Sequence, residues 1–185
     1  MKIMINVNKF LTLICFYKFK TGKSSIAEKN AFLELAKNFT TQQSDGVPYK
    51  TRLQIGGVYF ISTNIDVGDG LFNGATGVLK KIELADGVPK RAWMEFNHPS
   101  IGLNKRKITE SYQKTQGIDD KWVAVDKIEK KLTKYGQFAG LSIVRQQIPL
   151  VAANGMTVNK AQGSSMDFVV VPMPSGNRRK ILTKN

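Results

Sequence analysis

The run Gln147-Ile-Pro-Leu-Val-Ala-Ala-Asn-Gly-Met-Thr-Val-Asn-Lys-Ala-Gln-Gly-Ser-Ser-Met-Asp-Phe-Val-Val-Val171 joins two apolar strands through a polar loop. It constrains the chain more than any other stretch. Buried strands this close together belong in a sheet, and their loop then lies at the sheet edge, where α/β proteins place ligands. The loop, Thr157 to Ser165, combines hydroxyls, amides, one ammonium and a glycine. A mere connection needs turn chemistry and little else. Lys160 has no acidic neighbour in sequence, and Gln162-Gly-Ser-Ser165 offers backbone N–H groups beside hydroxyls, a composition suited to phosphate. A plain strand–loop–strand connection remains the competing reading, and the composition favours a site for a nucleotide or a strand.

With 185 residues the chain holds one domain, or one domain with a small insertion. The charge is more telling: 28 Lys and Arg against 14 Asp and Glu give a net +14. Such a surplus favours a polyanion, because neutralising phosphates releases condensed counterions; a solvated basic surface is the alternative. Cys15 is the single cysteine and His98 the single histidine. An internal disulfide, a cysteine-built metal cluster and a histidine triad within the chain are thereby excluded. Residues 1–20 read as an apolar, basic leader, unstructured or forming a first strand. Their apolar centre, Phe10 to Tyr17, is far short of the roughly 20 residues that span a bilayer, and no small-residue cleavage site follows it.

Ser25-Ile-Ala-Glu28 fits a capping box, and Phe32, Leu35, Ala36 and Phe39 follow at helical spacing, so the pattern predicts a helix over 26–38. Thr21-Gly-Lys-Ser-Ser25 resembles the end of a phosphate-binding loop, but the required glycine five positions before Gly22 is replaced by Tyr17. The cap reading wins. Residues 40–53 are polar, with Gly46 and Pro48, and read as a linker. Strands are expected over 57–62, 77–84, 90–96 and 122–125, with Asp86-Gly87 as a hairpin turn, and over 141–151 and 167–171. This spacing suggests a small twisted barrel or sandwich. The polar stretch 99–120 reads as a long surface loop.

Within Asn64-Ile-Asp-Val-Gly-Asp-Gly-Leu-Phe-Asn-Gly-Ala-Thr-Gly77, Asp66, Asp69 and Asn73 have a superficial calcium-loop look. Ile65, Val67 and Leu71 break the alternate ligand spacing, so a tight turn is the better reading. Gly68, Gly70, Gly74 and Gly77 would supply positive φ angles, and Asn64, Asp66 and Asn73 would bond the backbone.

The run from Arg145 to Asp167 resembles motif V of Pif-type DNA helicases, the RecD-like branch of superfamily one, whose pattern is approximately R-x-Q-F-P-L…A-x-T-I-H/N-K-S-Q-G-x-T-L-D. The segment from Leu53 to Gly77 resembles the family's L-x-x-G-x-x-V-M-x-x-x-N-x-D…G-L-x-N-G-x-x-G. The two matches occur in the family's order and bracket roughly residues 50–172. Helicases of Helitron-type transposons carry similar segments. The resemblance implies an α/β fold: a partial RecA-like P-loop NTPase domain (2A) with a small SH3-like β-barrel insertion (2B). It divides the chain into the leader 1–20, a RecA-like helix and linker over 21–53, a β-rich 2B-type insertion over 54–135, and RecA-like strands with motif V over 136–185.

By the same resemblance, Thr157, Asn159 and Lys160 would lie against the single-stranded DNA backbone. Gln162, Gly163 and Ser164 would relay the state of the ATP site, while Asn64, Asp66, Gly70, Asn73 and Gly74 form the structural turn. Asn159 stands where many members have histidine, Ala161 where serine is commoner, and Ser165 where threonine is. ATP and Mg²⁺ serve the parent helicase, whose expected activity is 5′→3′ translocation in the nucleus or mitochondrion. This sequence has no complete Walker A loop, no Walker B acidic pair and no Y-V-A-x-S-R arginine-finger segment, so neither ATP nor Mg²⁺ is expected to bind tightly to it alone. The expected partners are single-stranded DNA and the missing N-terminal helicase half, without a membrane. The expectation is therefore a truncated helicase fragment. Its rivals are a non-enzymatic nucleic-acid- or protein-binding barrel with a vestigial motif V, and a basic RNA-binding barrel, for which Tyr59 and Phe60 are thin support.

Overall fold

The computed structural model describes residues 4–5, 11–20, 25–133 and 142–153, all within one compact unit, Met1–Gly155. In chain order the elements are β1 (Met4–Ile5), β2 (Leu11–Ile14), β3 (Phe16–Lys20), α1 (Ile26–Lys37), β4 (Lys50–Leu53), β5 (Val58–Ile61), β6 (Thr76–Ala85), β7 (Val88–Phe96), α2 (Leu103–Gln116), β8 (Val123–Asp126), β9 (Ile128–Thr133), β10 (Ser142–Gln147) and β11 (Leu150–Ala152). The expected mixture of helix and strand is present and sheet-dominated among the described residues.

The strands form three sheets, ordered β1-β2-β4, β3-β10-β9 and β11-β5-β6-β7-β8. Every pairing among the described residues is antiparallel. Strands pass from one sheet to another through very short junctions: Cys15 between β2 and β3, Lys127 between β8 and β9, and Ile148-Pro149 between β10 and β11. The main core lies between β2, β4 and the five-stranded sheet, with Leu13, Leu53, Ile61, Leu79, Met94 and Leu150 in contact. No helix among the described residues is long and apolar enough to cross a membrane.

Helix α1 begins as its sequence predicts. The Glu28 N–H donates to Ser25 Oγ at 3.2 Å, and the Ser25 N–H donates to Glu28 Oε2 at 2.8 Å. Phe32 and Ala36, one turn apart, are buried against Leu132 and Ile143, while Leu35 is exposed. The β6–β7 hairpin also follows its turn signal: Asp86 and Gly87 both have positive φ, 51° and 72°, as a type I′ turn demands.

Residues 11–20 form β2 and β3, in line with the strand alternative given for the leader, and three other expectations are corrected. Leu13 and Cys15 are buried, and the Cys15 N–H bonds Tyr49 O at 2.9 Å. The linker reading of 40–53 fails because Ser44, Val47, Thr51 and Leu53 are buried and β4 pairs with β2. The strand expected over 141–151 breaks at Ile148-Pro149, so β10 and β11 belong to different sheets. The surface loop expected over 99–120 contains α2. This helix buries Thr109 and Gln113 rather than an apolar stripe; Gln113 Nε2 donates to the carbonyls of Asp119 and Trp122 at 2.8 and 3.0 Å. Gly102 precedes the helix with φ 75°, and a Cβ there would meet Val123 at 2.5 Å, so only glycine fits.

A candidate nucleic-acid interface

One described segment carries the first polar constellation found in the sequence, and another leads toward the second. The first leaves β4 at Leu53, turns through Gln54–Gly57, and enters β5. Tyr59 locks this turn: its hydroxyl accepts from the Gln54 N–H at 2.8 Å and donates to Arg52 O at 3.2 Å. Beyond β5 the chain forms a tight hydrogen-bonded loop that brings Asn64, Asp66, Gly70, Asn73 and Gly74 together. Asn64 Oδ1 accepts from the Asn73 N–H at 2.8 Å, and the Leu71 N–H donates to Asp66 O at 2.8 Å. Gly70 and Gly74 have φ of 75° and 106°. Gly68 and Gly77 do not have the positive φ expected of them. Gly77 is required for space instead, since a Cβ would lie 2.6 Å from Glu95 O on the paired strand.

The second segment is β10 and β11. Strand β11 lies against β5 with Leu150 opposite Ile61, Val151 opposite Phe60 and Ala152 opposite Tyr59. The Ser62 N–H bonds Pro149 O at one end of this ladder, and the Ala153 N–H bonds Val58 O at the other, each at 2.9 Å. Strand β5 of the first segment and β11 of the second, far apart in sequence, are therefore neighbours in one sheet, while β10 pairs with β3 and β9 in another. The Asn64–Gly74 loop sits at the Pro149 end of this ladder, and the described part of the second segment stops at its Val58 end. Thr157, Asn159, Lys160, Gln162, Gly163 and Ser164 lie outside the described residues, as do Thr21–Ser24 and the strand expected over 167–171.

Much of the positive charge is already paired. Lys80 pairs with Glu95, Lys130 with Asp45 and Lys114 with Glu110, at 2.6–2.7 Å. Arg91 and Lys105 share Asp126, each at 2.7 Å. Lys50 and Arg52, on one face of β4, are exposed and have no acidic partner among the described residues, and the same holds for Lys81, Lys107, Lys121 and Lys131. Unpaired cations of this kind are what a phosphate backbone can use, since a cation already holding a carboxylate gains less from a new anion. Lys50 and Arg52 were hidden in the presumed linker, where the alternation of basic residues with Thr51 and Leu53 was the available signal.

Asp126, with its two cations, has a pH signature of its own. Burial raises its pKa, but Lys105 and Arg91 outweigh that and hold the carboxyl below its ordinary value. A depressed folded pKa means that the stabilisation is complete above the unfolded value, about 3.9, and is lost as pH falls through the lower folded value. The stability gap between wild type and Asp126→Asn should therefore be open at pH 7 and close at lower pH, beginning below about 4. Urea midpoints across pH 2.5–7 check this; a gap independent of pH would contradict it.

The described residues do not fit Mg²⁺ or a nucleotide's metal. Both oxygens of Asp69 accept from the start of α2, from the Asn104 N–H at 2.8 Å and the Lys105 N–H at 2.9 Å. Asp66 Oδ1 accepts from the Asp69 N–H at 3.2 Å. No group of three or more metal-ligating side chains occurs among the described residues.

No protein-family signature and no curated protein matches this chain. Its structural neighbours are Pif1 helicases. Pif1 from Bacteroides bound to ssDNA is 16% identical with a TM-score of 0.48, covering 88% of this chain and 28% of that one. Pif1 from Candida albicans is 17% identical with a TM-score of 0.47, covering 86% of this chain and 32% of that one. A Bacteroides Pif1 in complex with ADP-AlF4 is 14% identical with a TM-score of 0.43, over 85% and 27%. The chain thus spans about a third or less of the length of each of these helicases.

Proposed function

We propose that this chain supplies the single-stranded-DNA-facing part of a Pif-type DNA helicase, with the β-rich middle as its 2B-type insertion. The observation that supports the reading is the pairing of β5 with β11, which joins Tyr59–Ile61 of the first resembling segment to Leu150–Ala152 of the second. In this reading Thr157, Asn159 and Lys160 contact the DNA backbone. Gln162, Gly163 and Ser164 couple that contact to a nucleotide site completed elsewhere in the parent motor, which moves 5′→3′ on ATP hydrolysis. The net charge of +14, and the exposed Lys50 and Arg52 with no acidic partner among the described residues, support a polyanionic partner. With no complete Walker A loop among these 185 residues, the chain binds single-stranded DNA without turning over ATP.

The test uses the purified chain. A fluorescent oligonucleotide should show an affinity that falls steeply with salt, by about 0.7 in the logarithmic slope for each phosphate neutralised. ATP turnover with single-stranded DNA present should stay at the buffer rate. Robust turnover by the chain alone would refute the proposal.

A further inference from the structure

Arg145 is fully buried in the middle of β10. Its guanidinium donates to Val47 O at 2.8 Å, to the Tyr17 hydroxyl at 2.7 Å, and to Ala36 O in the last turn of α1. It lies 5.3 Å over the Tyr17 ring, which stacks on Tyr49 at 6.4 Å. No carboxylate pairs with it among the described residues, and its Nε has no acceptor there. A buried cation costs a great deal unless other groups replace its water. Here carbonyl dipoles, the negative end of α1 and an aromatic face do so.

A side chain needed only to fill this space would be better as methionine or leucine, which carry no desolvation penalty. What the guanidinium adds is geometry. Its rigid fork holds three acceptors from three separate segments at once, which a lysine ammonium cannot reproduce. The next inward-facing residue continues the tether: buried Gln147 reaches Leu13 O at 3.4 Å and accepts from the Ile148 N–H at 3.1 Å. Strand β10 is thus fixed immediately before the Ile148-Pro149 break, and β11 starts from that fixed point. We infer that Arg145 is a positioning residue: it sets where β11 meets β5. Its effect on DNA binding rests on the function proposed above, whereas its effect on β11 does not.

Arg145→Lys and Tyr17→Phe test this, each held at a temperature where circular dichroism shows it folded. Hydrogen exchange is read at the Ser62 and Ala153 amides, which bridge β5 and β11, and at the Ile118 amide, which bonds Gln113 beside α2. The expected result is exchange about tenfold faster at Ser62 and Ala153 with Ile118 unchanged, smaller in Tyr17→Phe than in Arg145→Lys, because local opening is independent of distant elements. Single-stranded DNA affinity should fall about three- to tenfold with an unaltered salt slope, since no phosphate contact is removed. Faster exchange at all three amides alike, or at none, would overturn the inference. If the wild type fails to bind single-stranded DNA, the proposed function falls, and the exchange pattern still decides the role of Arg145.

Discussion

Trp93→Ala is expected to destabilise the protein by about 3–5 kcal/mol, the range for deleting a large aromatic from a packed core. Trp93 is wholly inaccessible and packs with Ile118 and Ala124. Its Nε1–H donates to Glu83 at 3.2 Å, and its ring stacks on Tyr112 of α2 at 6.3 Å with Arg91 5.4 Å from it. Tyr112 donates to the other Glu83 oxygen at 2.8 Å. Burial raises the pKa of Glu83, yet Tyr112, Trp93, Arg91 and Lys90 together hold its carboxyl below the ordinary value. The indole is therefore both core and the anchor of α2 on the β6–β7 hairpin. Trp93→Phe keeps most of the apolar surface and loses the N–H donor, so it should cost less than the alanine change. Urea denaturation of the three proteins decides: an alanine variant within about 1 kcal/mol of wild type would contradict this packing.

Asp69→Ala should cost about 2–3 kcal/mol, more than an exposed cap, because two helix N–H groups lose their acceptors at a site where Asp69 is only 4% exposed. Asp69 stands where a calcium loop would place a ligand, but it caps a helix 35 residues further along the chain. The Gly102 N–H also donates to Asp69 O at 2.7 Å, which the substitution leaves in place. Asp69→Asn retains one acceptor oxygen and should lose roughly half as much. Exchange at the Asn104 and Lys105 amides should rise first. Added Ca²⁺ should leave the melting temperature of the wild type unchanged; a clear upward shift would return Asp69 to a cation site.

These two residues also mark how far the sequence could be read. Helix α1 and the β6–β7 hairpin were legible because their signals are local: Ser25 and Glu28 meet within one turn, and Asp86-Gly87 forms its turn unaided. Helix α2 was illegible because its buried positions are Thr109 and Gln113, its cap is remote, and its exposed residues include Ile108. No apolar periodicity exists to be found. Strand β4 was masked by Lys50 and Arg52, although the alternation with Thr51 and Leu53 is that of a half-buried strand. Strand β9 carries only Ile128 and Leu132 as apolar residues, too sparse a pattern to stand out.

The candidate site divides in the same manner. Its residue types and their order show two segments that resemble helicase motifs, and Thr157 to Ser164 of the second lie outside the described residues. That β5 and β11 of these segments pair was not readable, because antiparallel pairing between distant strands is fixed by the whole core rather than by either strand. Nor was the role of Arg145, which looks like one more basic residue until its three acceptors are in view.

The most direct test of the account compares wild type with Lys160→Ala for binding to a labelled single-stranded oligonucleotide across a range of salt. A lysine that contacts phosphate should, when removed, weaken binding for all sequences alike and reduce the logarithmic salt slope by about one. The account predicts that result with the melting temperature unchanged. Equal affinity and equal slope in the two proteins would contradict it, and would leave the chain as a basic barrel whose motif V is vestigial.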